Sequence, residues 1–144
     1  MKGQWWIMTS ELKLLGLSVG LGLLHIVLAS HAASIQKGYR WTAGPRDEPE
    51  EPLVGVAGRL ARASRNFGET FPFFAAAVLA NHVAGSRSDL SLYGAHLYLW
   101  ARIAYLPIYV AGTYLIRSLV WNVAFVGIAL NLVAPLGELA SWIG

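Results

Sequence analysis

The chain has 144 residues, is 56% hydrophobic and only 13% charged, and has a mean hydropathy of +0.49 with six tryptophans. This composition is rare in soluble domains and typical of helical membrane proteins. The net charge of +3 is too small to indicate nucleic-acid binding, and the lack of cysteine excludes disulfides, a cysteine nucleophile and thiolate metal sites. Any thiol chemistry must therefore use a thiol of the substrate.

The first long apolar segment, residues 14–35, has no formally charged side chain and is long enough to cross a hydrocarbon core of roughly 30 Å as a helix. A cleaved signal peptide is the alternative, but the run is longer than a usual signal core, and Glu11 and Lys13 crowd its start. His25 and His31 have no carboxylate or cysteine companion. We therefore predict a membrane helix in which these histidines serve packing or hydrogen bonding, and no metal site.

The composition changes abruptly after this segment. Glycine and proline interrupt any helix between residues 37 and 53, and a run of acidic residues supplies solvated charge: Asp47, Glu48, Glu50 and Glu51. We therefore predict an aqueous loop whose acidic run is a solvated face.

A polar stripe runs along the second apolar segment. In a helix, Arg59, Arg62, Asn66 and Glu69 lie at i, i+3, i+7 and i+10 on one face, and Arg65 borders it. Glu69 is placed about fifteen residues into that helix, roughly 20 Å from its start and inside the hydrocarbon region. A carboxylate at that depth must be paired or face a wet cavity, so the stripe indicates a functional site. The alternative is a purely stabilising ion pair between Glu69 and Arg65, which leaves Arg62 and Asn66 without a purpose.

The third apolar segment carries a second polar stripe. Tyr98, Arg102, Tyr105 and Tyr109 fall at i, i+4, i+7 and i+11, again on one helical face. Single tyrosines could be belt residues at the membrane boundary, but these extend from the middle of the segment to its end. We therefore predict that this stripe lines a site.

The fourth segment, Ser118 to Gly137, is uncharged and follows directly after Arg117. Four apolar segments joined by loops predict an all-α integral membrane protein, an up-down-up-down bundle of four transmembrane helices. We expect one domain over residues 1–144, with helices at about 10–36, 54–83, 89–112 and 115–142 and a loop at 37–53.

The orientation follows from lysines and arginines near the segment ends. The side that holds the long loop carries Lys37, Arg40, Arg46, Arg59, Arg62, Arg65 and Arg117, whereas the side of both termini has Lys2, Lys13 and Arg87. Because cytoplasmic loops are enriched in these cations, the loop and the polar ends of both stripes are predicted to face the cytoplasm, with the termini outside.

Three motifs together resemble the MAPEG family, the membrane-associated proteins in eicosanoid and glutathione metabolism: RASRNFGETFPFF, LWARIAYLPIY and IRSLVW. The resemblance covers essentially the whole chain, and the loop looks most like that of bacterial members. It implies a multi-pass protein of the bacterial inner membrane with periplasmic termini. It further implies a homotrimer that binds glutathione between neighbouring subunits near the cytoplasmic face, and a lipophilic small-molecule substrate that arrives from the membrane lipids.

The resemblance also implies roles for individual residues. Six positions match glutathione-binding residues of the family: Arg62, Asn66, Glu69, Arg102, Tyr105 and Tyr109. Two neighbouring cations, Lys37 and Arg65, are added as candidates. Arg117 matches an arginine near the glutathione thiol, and a guanidinium there favours the thiolate. Tyr109 could donate a second hydrogen bond to the sulfur, so Arg117 and Tyr109 are the predicted catalytic pair.

Three positions depart from the family pattern: Gln36 where one branch has an arginine, Ser64 in place of a glutamine, and Thr70 in place of a tyrosine. The leading prediction is a glutathione-dependent membrane transferase or peroxidase. The alternative is a non-catalytic membrane protein whose polar cleft binds a lipid headgroup or another anionic ligand. A transporter is less favoured, because the chain has no internal repeat.

Overall fold

A computed structural model of the chain describes residues 8–45, 47, 51–86 and 88–135, which form helices and turns without a strand. The described helices are Ser10–Lys37 (α1), Tyr39–Ala43 (α2), Gly55–Ala84 (α3), Asp89–Ala111 (α4) and Tyr114–Val133 (α5). The prediction of an all-helical chain is thereby confirmed for this part. Several residues used in the charge counts lie outside it: Lys2, Arg46, Glu48, Glu50 and Arg87. Residues 136–142 of the fourth predicted helix lie outside it as well.

The short helix α2 lies inside the stretch that composition predicts to be loop. Gly38, with a φ of 88°, ends α1 and lets the chain restart at once as a new helix. Gly44 and the prolines all follow Ala43, so they end α2 instead of preventing it. The predicted loop therefore begins with one helical turn.

Local side chains set the limits of the long helices. The Thr9 side chain accepts a hydrogen bond from the Leu12 N–H at 3.3 Å, and the Ser88 hydroxyl accepts one from the Ser91 N–H at 3.1 Å. Gly85 and Gly112 end α3 and α4 in the left-handed conformation that glycine adopts without a steric penalty.

Two of the described helices, α1 and α5, are long and apolar enough to cross a membrane. Each exposes large apolar side chains along much of its length, including Leu17 and Leu23 on α1 and Leu115 and Leu119 on α5. The polar stripes lower the hydropathy of α3 and α4, which therefore do not meet the same criterion. The exposed faces of α1 and α5 have the composition expected of helices in contact with lipid.

The core forms where α4 packs against α5 and α1 packs against α3, while α3 also contacts α4 and α5. The Phe74 ring of α3 stacks on the Tyr98 ring of α4, with centroids 3.9 Å apart and planes 12° apart. Asn81 donates a hydrogen bond to the Asn131 carbonyl at 2.9 Å, which joins α3 to α5. The helices are thus held by apolar packing and by buried amide contacts in the interior.

The crossing of α4 and α5 depends on glycine, and we expect Gly127→Ala to destabilise the protein. A Cβ at Gly127 would lie 2.6 Å from the Gly94 carbonyl oxygen and 2.7 Å from the Tyr98 nitrogen, both of them backbone atoms. Relief of the clash requires a helix to shift, which costs about 1–3 kcal/mol. Thermal unfolding of detergent-purified protein, followed by tryptophan fluorescence, measures the effect.

The matched control is Gly20→Ala on α1, where an added Cβ meets no heavy atom within 4 Å. Its unfolding temperature should equal or exceed that of the unsubstituted chain, because alanine favours a helix over glycine by about 0.5–1 kcal/mol. Equal unfolding temperatures for the two variants would contradict the close crossing.

Candidate functional site

An open cleft of about 550 Å³ lies between α3, α4 and α5. Its lining combines charged, amide, hydroxyl and aromatic side chains from the three helices: Arg62, Arg65, Asn66 and Glu69, then Tyr105 and Tyr109, then Arg117, Ser118, Trp121 and Asn122. The structure therefore brings most of the predicted site residues together in one space within a single chain.

The α3 wall of the cleft follows from helical spacing. Arg62, Arg65 and Glu69 are exposed to the cleft, whereas Ala63 and Phe67 between them are buried against neighbouring helices. The charged face therefore opens on the cleft while the apolar face anchors the helix. Because Arg65 and Glu69 both face this space, neither is enclosed in the bundle interior as the ion-pair alternative requires. Arg59 belongs to the same sequence stripe but does not line the cleft.

The α4 wall consists of two tyrosines with little exposed surface, since Tyr105 is 3% and Tyr109 is 8% exposed. Their ring centroids are 5.3 Å apart, and the two tyrosines form one buried apolar cluster with Ala63 of α3. The Arg117 guanidinium carbon lies 4.8 Å from the Tyr109 ring centroid, a cation–π contact between α5 and α4. The two residues predicted to be catalytic are thus in direct contact.

Three cleft residues of α5 were not predicted from the sequence: Ser118, Trp121 and Asn122. The Ser118 hydroxyl donates to the Tyr114 carbonyl at 3.0 Å, and the Asn122 amide donates to the Ser118 carbonyl at 2.8 Å. Trp121 lies four positions after Arg117 and so shares its helical face, whereas Ser118 and Asn122 lie one and five positions after it and do not. The Ser118 oxygen keeps acceptor capacity toward the cleft.

Arg102 lies behind the cleft instead of lining it. Its side chain is 1% exposed, and Nη1 donates to the Asn66 side-chain oxygen at 2.8 Å while Nη2 donates to the Thr70 hydroxyl. Its guanidinium carbon lies 5.5 Å and 5.3 Å from the ring centroids of Tyr98 and Tyr105. The sequence stripe of α4 is therefore split, because Tyr98 and Arg102 face the interior and only Tyr105 and Tyr109 reach the cleft.

Lys37 also lies apart from the cleft within the chain. Its ammonium stands 4.5 Å from the Trp41 ring centroid, beside a separate pocket of about 480 Å³ that Arg40 and Asp47 also line. Its neighbour Gln36 donates to the Pro52 carbonyl at 3.4 Å and accepts from the Val54 N–H at 3.2 Å. Gln36, at the C-terminal end of α1, therefore links this helix to the segment that precedes α3.

The other departures from the family pattern also have structural partners. Thr70 accepts a hydrogen bond from Arg102, as described above, and its hydroxyl lies 3.3 Å from the carbonyl oxygens of Asn66 and Phe67. Ser64 faces a small apolar slot between α1 and α3 instead of the cleft. The Nδ1 atoms of His25 and His31 each lie within hydrogen-bond distance of a carbonyl one turn earlier, at 2.9 Å and 3.1 Å.

Comparison with known proteins gives one result that bears on identity. The family model described as MAPEG family matches residues 14–137, a range that contains every residue lining the cleft. No curated protein and no solved structure gives a significant match.

Proposed function

Because this chain belongs to the MAPEG family, we propose that it is a glutathione-dependent membrane transferase or peroxidase whose cleft binds glutathione and ionises its thiol. The observation that carries the proposal is the cleft itself, where guanidinium groups, one carboxylate and tyrosine rings meet in a single space. Its volume of about 550 Å³ lies in the range of about 300–1,000 Å³ typical of small-molecule sites.

The charges of the cleft support glutathione as its occupant. Three guanidinium groups and one carboxylate give the lining a formal charge of +2. Glutathione with an ionised thiol has two carboxylates, one thiolate and one ammonium, and therefore carries the opposite charge. Arginines can bind the carboxylates in a bidentate manner, and Glu69 can accept hydrogen bonds from the ammonium. Lys37, which lies outside the cleft of its own chain, is left out of this assignment.

The contact between Arg117 and Tyr109 supports their assignment to the thiol. A thiol with a free pKa of about 8.5 is mostly protonated at neutral pH. A guanidinium nearby lowers the thiol pKa, and the Tyr109 hydroxyl can donate a further hydrogen bond to the sulfur. The rate would thus increase through a larger thiolate fraction and through proximity to the second substrate.

Both proposed reactions use glutathione as the only thiol. In transfer, the thiolate attacks an electrophilic carbon, a sulfur–carbon bond forms, and the leaving group departs as an anion. In peroxide reduction, the thiolate attacks the hydroperoxide and the oxygen–oxygen bond breaks, which gives a sulfenic acid and an alkoxide that takes a proton from water to become the alcohol. A second glutathione then converts the sulfenic acid to glutathione disulfide and water.

The membrane arrangement belongs to the same proposal. We infer that all four long helices span a membrane, with the polar faces of α3 and α4 turned to the cleft and the apolar faces of α1 and α5 turned to lipid or to neighbouring subunits. The lysines and arginines at the end of the helices where the cleft lies support a cytoplasmic site, with both termini on the opposite side of the membrane. The assembly is proposed to be a homotrimer of the bacterial inner membrane.

An aromatic pair on α5 supports a lipophilic second substrate. Trp121 lines the cleft, and its ring stacks on that of Phe125 with centroids 5.5 Å apart and planes 18° apart. Phe125 is 52% exposed on the outer surface of α5. The pair thus connects the charged cleft to the apolar face of α5, which we assign to lipid or to a neighbouring subunit.

We expect Trp121→Ala to raise KM for a lipophilic electrophile by about 10-fold or more, because a lost aromatic contact is worth about 0.5–1.5 kcal/mol beyond the apolar area it buries. KM for glutathione should change less than two-fold. Trp41→Ala, which removes a tryptophan outside the cleft, is the control. Steady-state kinetics with each substrate varied in turn measure both constants, and an equal rise in both would count against separate subsites.

The experiment that tests the proposed function is conjugation of glutathione to a chlorinated nitrobenzene by detergent-purified protein, together with reduction of a lipid hydroperoxide. We expect at least one activity to be enhanced above the uncatalysed rate and to saturate with glutathione. If neither is enhanced, and calorimetry detects no glutathione binding at millimolar concentration, the proposal is wrong.

The positive charge of the cleft also favours a second candidate, a non-catalytic protein that binds a phospholipid headgroup or another anionic ligand there. A phosphate group could contact Arg62, Arg65 and Arg117 as the carboxylates of glutathione would. Native mass spectrometry distinguishes the two. Retained phospholipid without glutathione binding would favour this candidate over the enzyme.

A further inference from the structure

We propose that Arg102 is a positioning residue that orients the Asn66 amide as a hydrogen-bond donor for an acceptor group of the bound ligand. This inference rests on the proposed function and deepens it, because it makes Asn66 a hydrogen-bond donor within the glutathione site. It also differs from the role that the family resemblance implies for Arg102, which is direct contact with glutathione.

The cleft wall separates the side chains of Asn66 and Arg102. Asn66 lines the cleft, whereas Arg102 does not and is 1% exposed. The two are joined by the 2.8 Å hydrogen bond from Arg102 Nη1 to Asn66 Oδ1. A ligand in the cleft therefore meets Asn66, with Arg102 placed behind it.

The Arg102 side chain is itself held in one position. The Thr70 hydroxyl accepts from Nη2, and the rings of Tyr98, Tyr105 and Phe67 surround the guanidinium with centroids 5.5, 5.3 and 5.9 Å from its central carbon. Hydrogen bonds and cation–π contacts both reduce the cost of keeping this charge away from water. The guanidinium can therefore hold its partner at a defined point.

The hydrogen bond between Arg102 and Asn66 has a defined direction. An arginine side chain has only donors and no acceptor. Asn66 can satisfy it only with the amide oxygen, which settles the orientation of the planar amide and leaves the NH₂ group for the cleft. Donors at that point suit a carboxylate or carbonyl oxygen of glutathione, and they supply a hydrogen bond without a further positive charge.

A double-mutant cycle on glutathione affinity tests the inference. We expect Asn66→Ala and Arg102→Met each to raise the glutathione Kd by about 10-fold or more, the effect of losing a hydrogen bond to a charged group. The double variant should bind no more weakly than Asn66→Ala alone, since Arg102 acts through Asn66. Calorimetric titration of the detergent-purified full chain supplies the four constants. Additive losses would overturn the inference, because they require Arg102 to contribute independently.

A second variant keeps the test decisive if Arg102→Met does not fold. Asn66→Asp retains an oxygen for Arg102 but lacks the NH₂ donors. We expect it to match the unsubstituted chain in thermal unfolding and to lose glutathione affinity as strongly as Asn66→Ala. Near-normal glutathione affinity of Asn66→Asp would overturn the inference. It would mean that the contact with Arg102 is only structural and that the NH₂ donors are not needed for binding.

Arg102→Lys provides the conservative rescue. A lysine can still donate to Asn66 Oδ1, so its glutathione Kd should fall between those of the unsubstituted chain and Arg102→Met. A Kd no better than that of Arg102→Met would count against the positioning role. Titration of the unsubstituted chain separates the two claims. If it does not bind glutathione, the proposed function and this inference both fail, whereas binding with an additive cycle removes only the inference.

Discussion

Replacing Arg117 with leucine is expected to lower the rate of glutathione conjugation at pH 7 by about 10- to 30-fold. A thiol with a pKa of about 8.5 is only about 3% ionised at pH 7, and a guanidinium nearby lowers such a pKa by about 1–3 units. Without Arg117 the thiolate fraction returns to its low value. The defect should shrink as the pH rises, because above the free thiol pKa the sulfur is ionised in both proteins.

The measurement is kcat at saturating glutathione between about pH 6 and pH 9.5, a range that brackets the free thiol pKa of about 8.5. Arg117→Lys keeps a positive charge and should give an intermediate profile. Arg40→Leu removes an exposed cation that lies beside the separate pocket near Lys37, and it should leave the profile unchanged. A loss of kcat of equal size at every pH would contradict thiol activation, because the defect would then not depend on the ionisation of the thiol.

Replacing Glu69 with glutamine should weaken glutathione binding by about 10- to 100-fold, the loss expected for a charge-assisted hydrogen bond of about 1.5–3 kcal/mol. Glu69 supplies an exposed carboxylate to a cleft lining whose other charged side chains are arginines. It is therefore the side chain that suits the glutathione ammonium. Calorimetric titration of both proteins in the same detergent gives the two values of Kd.

A glutathione analogue without the amino group sharpens this test. The unsubstituted chain should bind the analogue about as weakly as Glu69→Gln binds glutathione, and the variant should not distinguish the two ligands. Glu51→Gln changes an exposed acid outside the cleft and serves as the control. If Glu69→Gln weakened both ligands equally, Glu69 would act on the cleft as a whole and not on the ammonium.

Helical spacing in the sequence was enough to predict most of the cleft. Positions 62, 66 and 69, with Arg65 at their border, fall on one face of α3 because a helix repeats every 3.6 residues. The same rule placed Tyr105 and Tyr109 together on α4. These predictions depend only on the spacing of residues along one helix, and all of these side chains line one cleft in the structure.

The rest of the site depends on packing between helices, which the sequence of one helix does not show. Arg102 shares the sequence stripe of Tyr109, yet the close contact of α3 with α4 encloses it between Asn66 and Thr70. Spacing on one helix cannot reveal which part of a stripe a neighbouring helix covers. Trp121 was missed for a related reason, since an aromatic residue in an apolar segment does not differ in sequence from a lipid-facing one.

The segment between α1 and α3 also has contacts that the sequence alone does not predict. Gln36 stands where one branch of the family has an arginine, and its amide joins the end of α1 to the Pro52 carbonyl and the Val54 N–H. Composition identified this region as polar and rich in glycine and proline. Which polar side chain binds a ligand, and which one secures the loop, depends on contacts between residues far apart in sequence.

The far-ultraviolet absorbance of the thiolate shows whether the cleft binds glutathione and ionises its thiol. Glutathione is titrated into the detergent-purified chain at pH 7, with Arg117→Leu as the reference. We predict a thiolate band that grows with glutathione and saturates in the unsubstituted chain but is absent from the variant. If the unsubstituted chain gives no thiolate band and no binding heat up to millimolar glutathione, the cleft neither binds glutathione nor ionises its thiol.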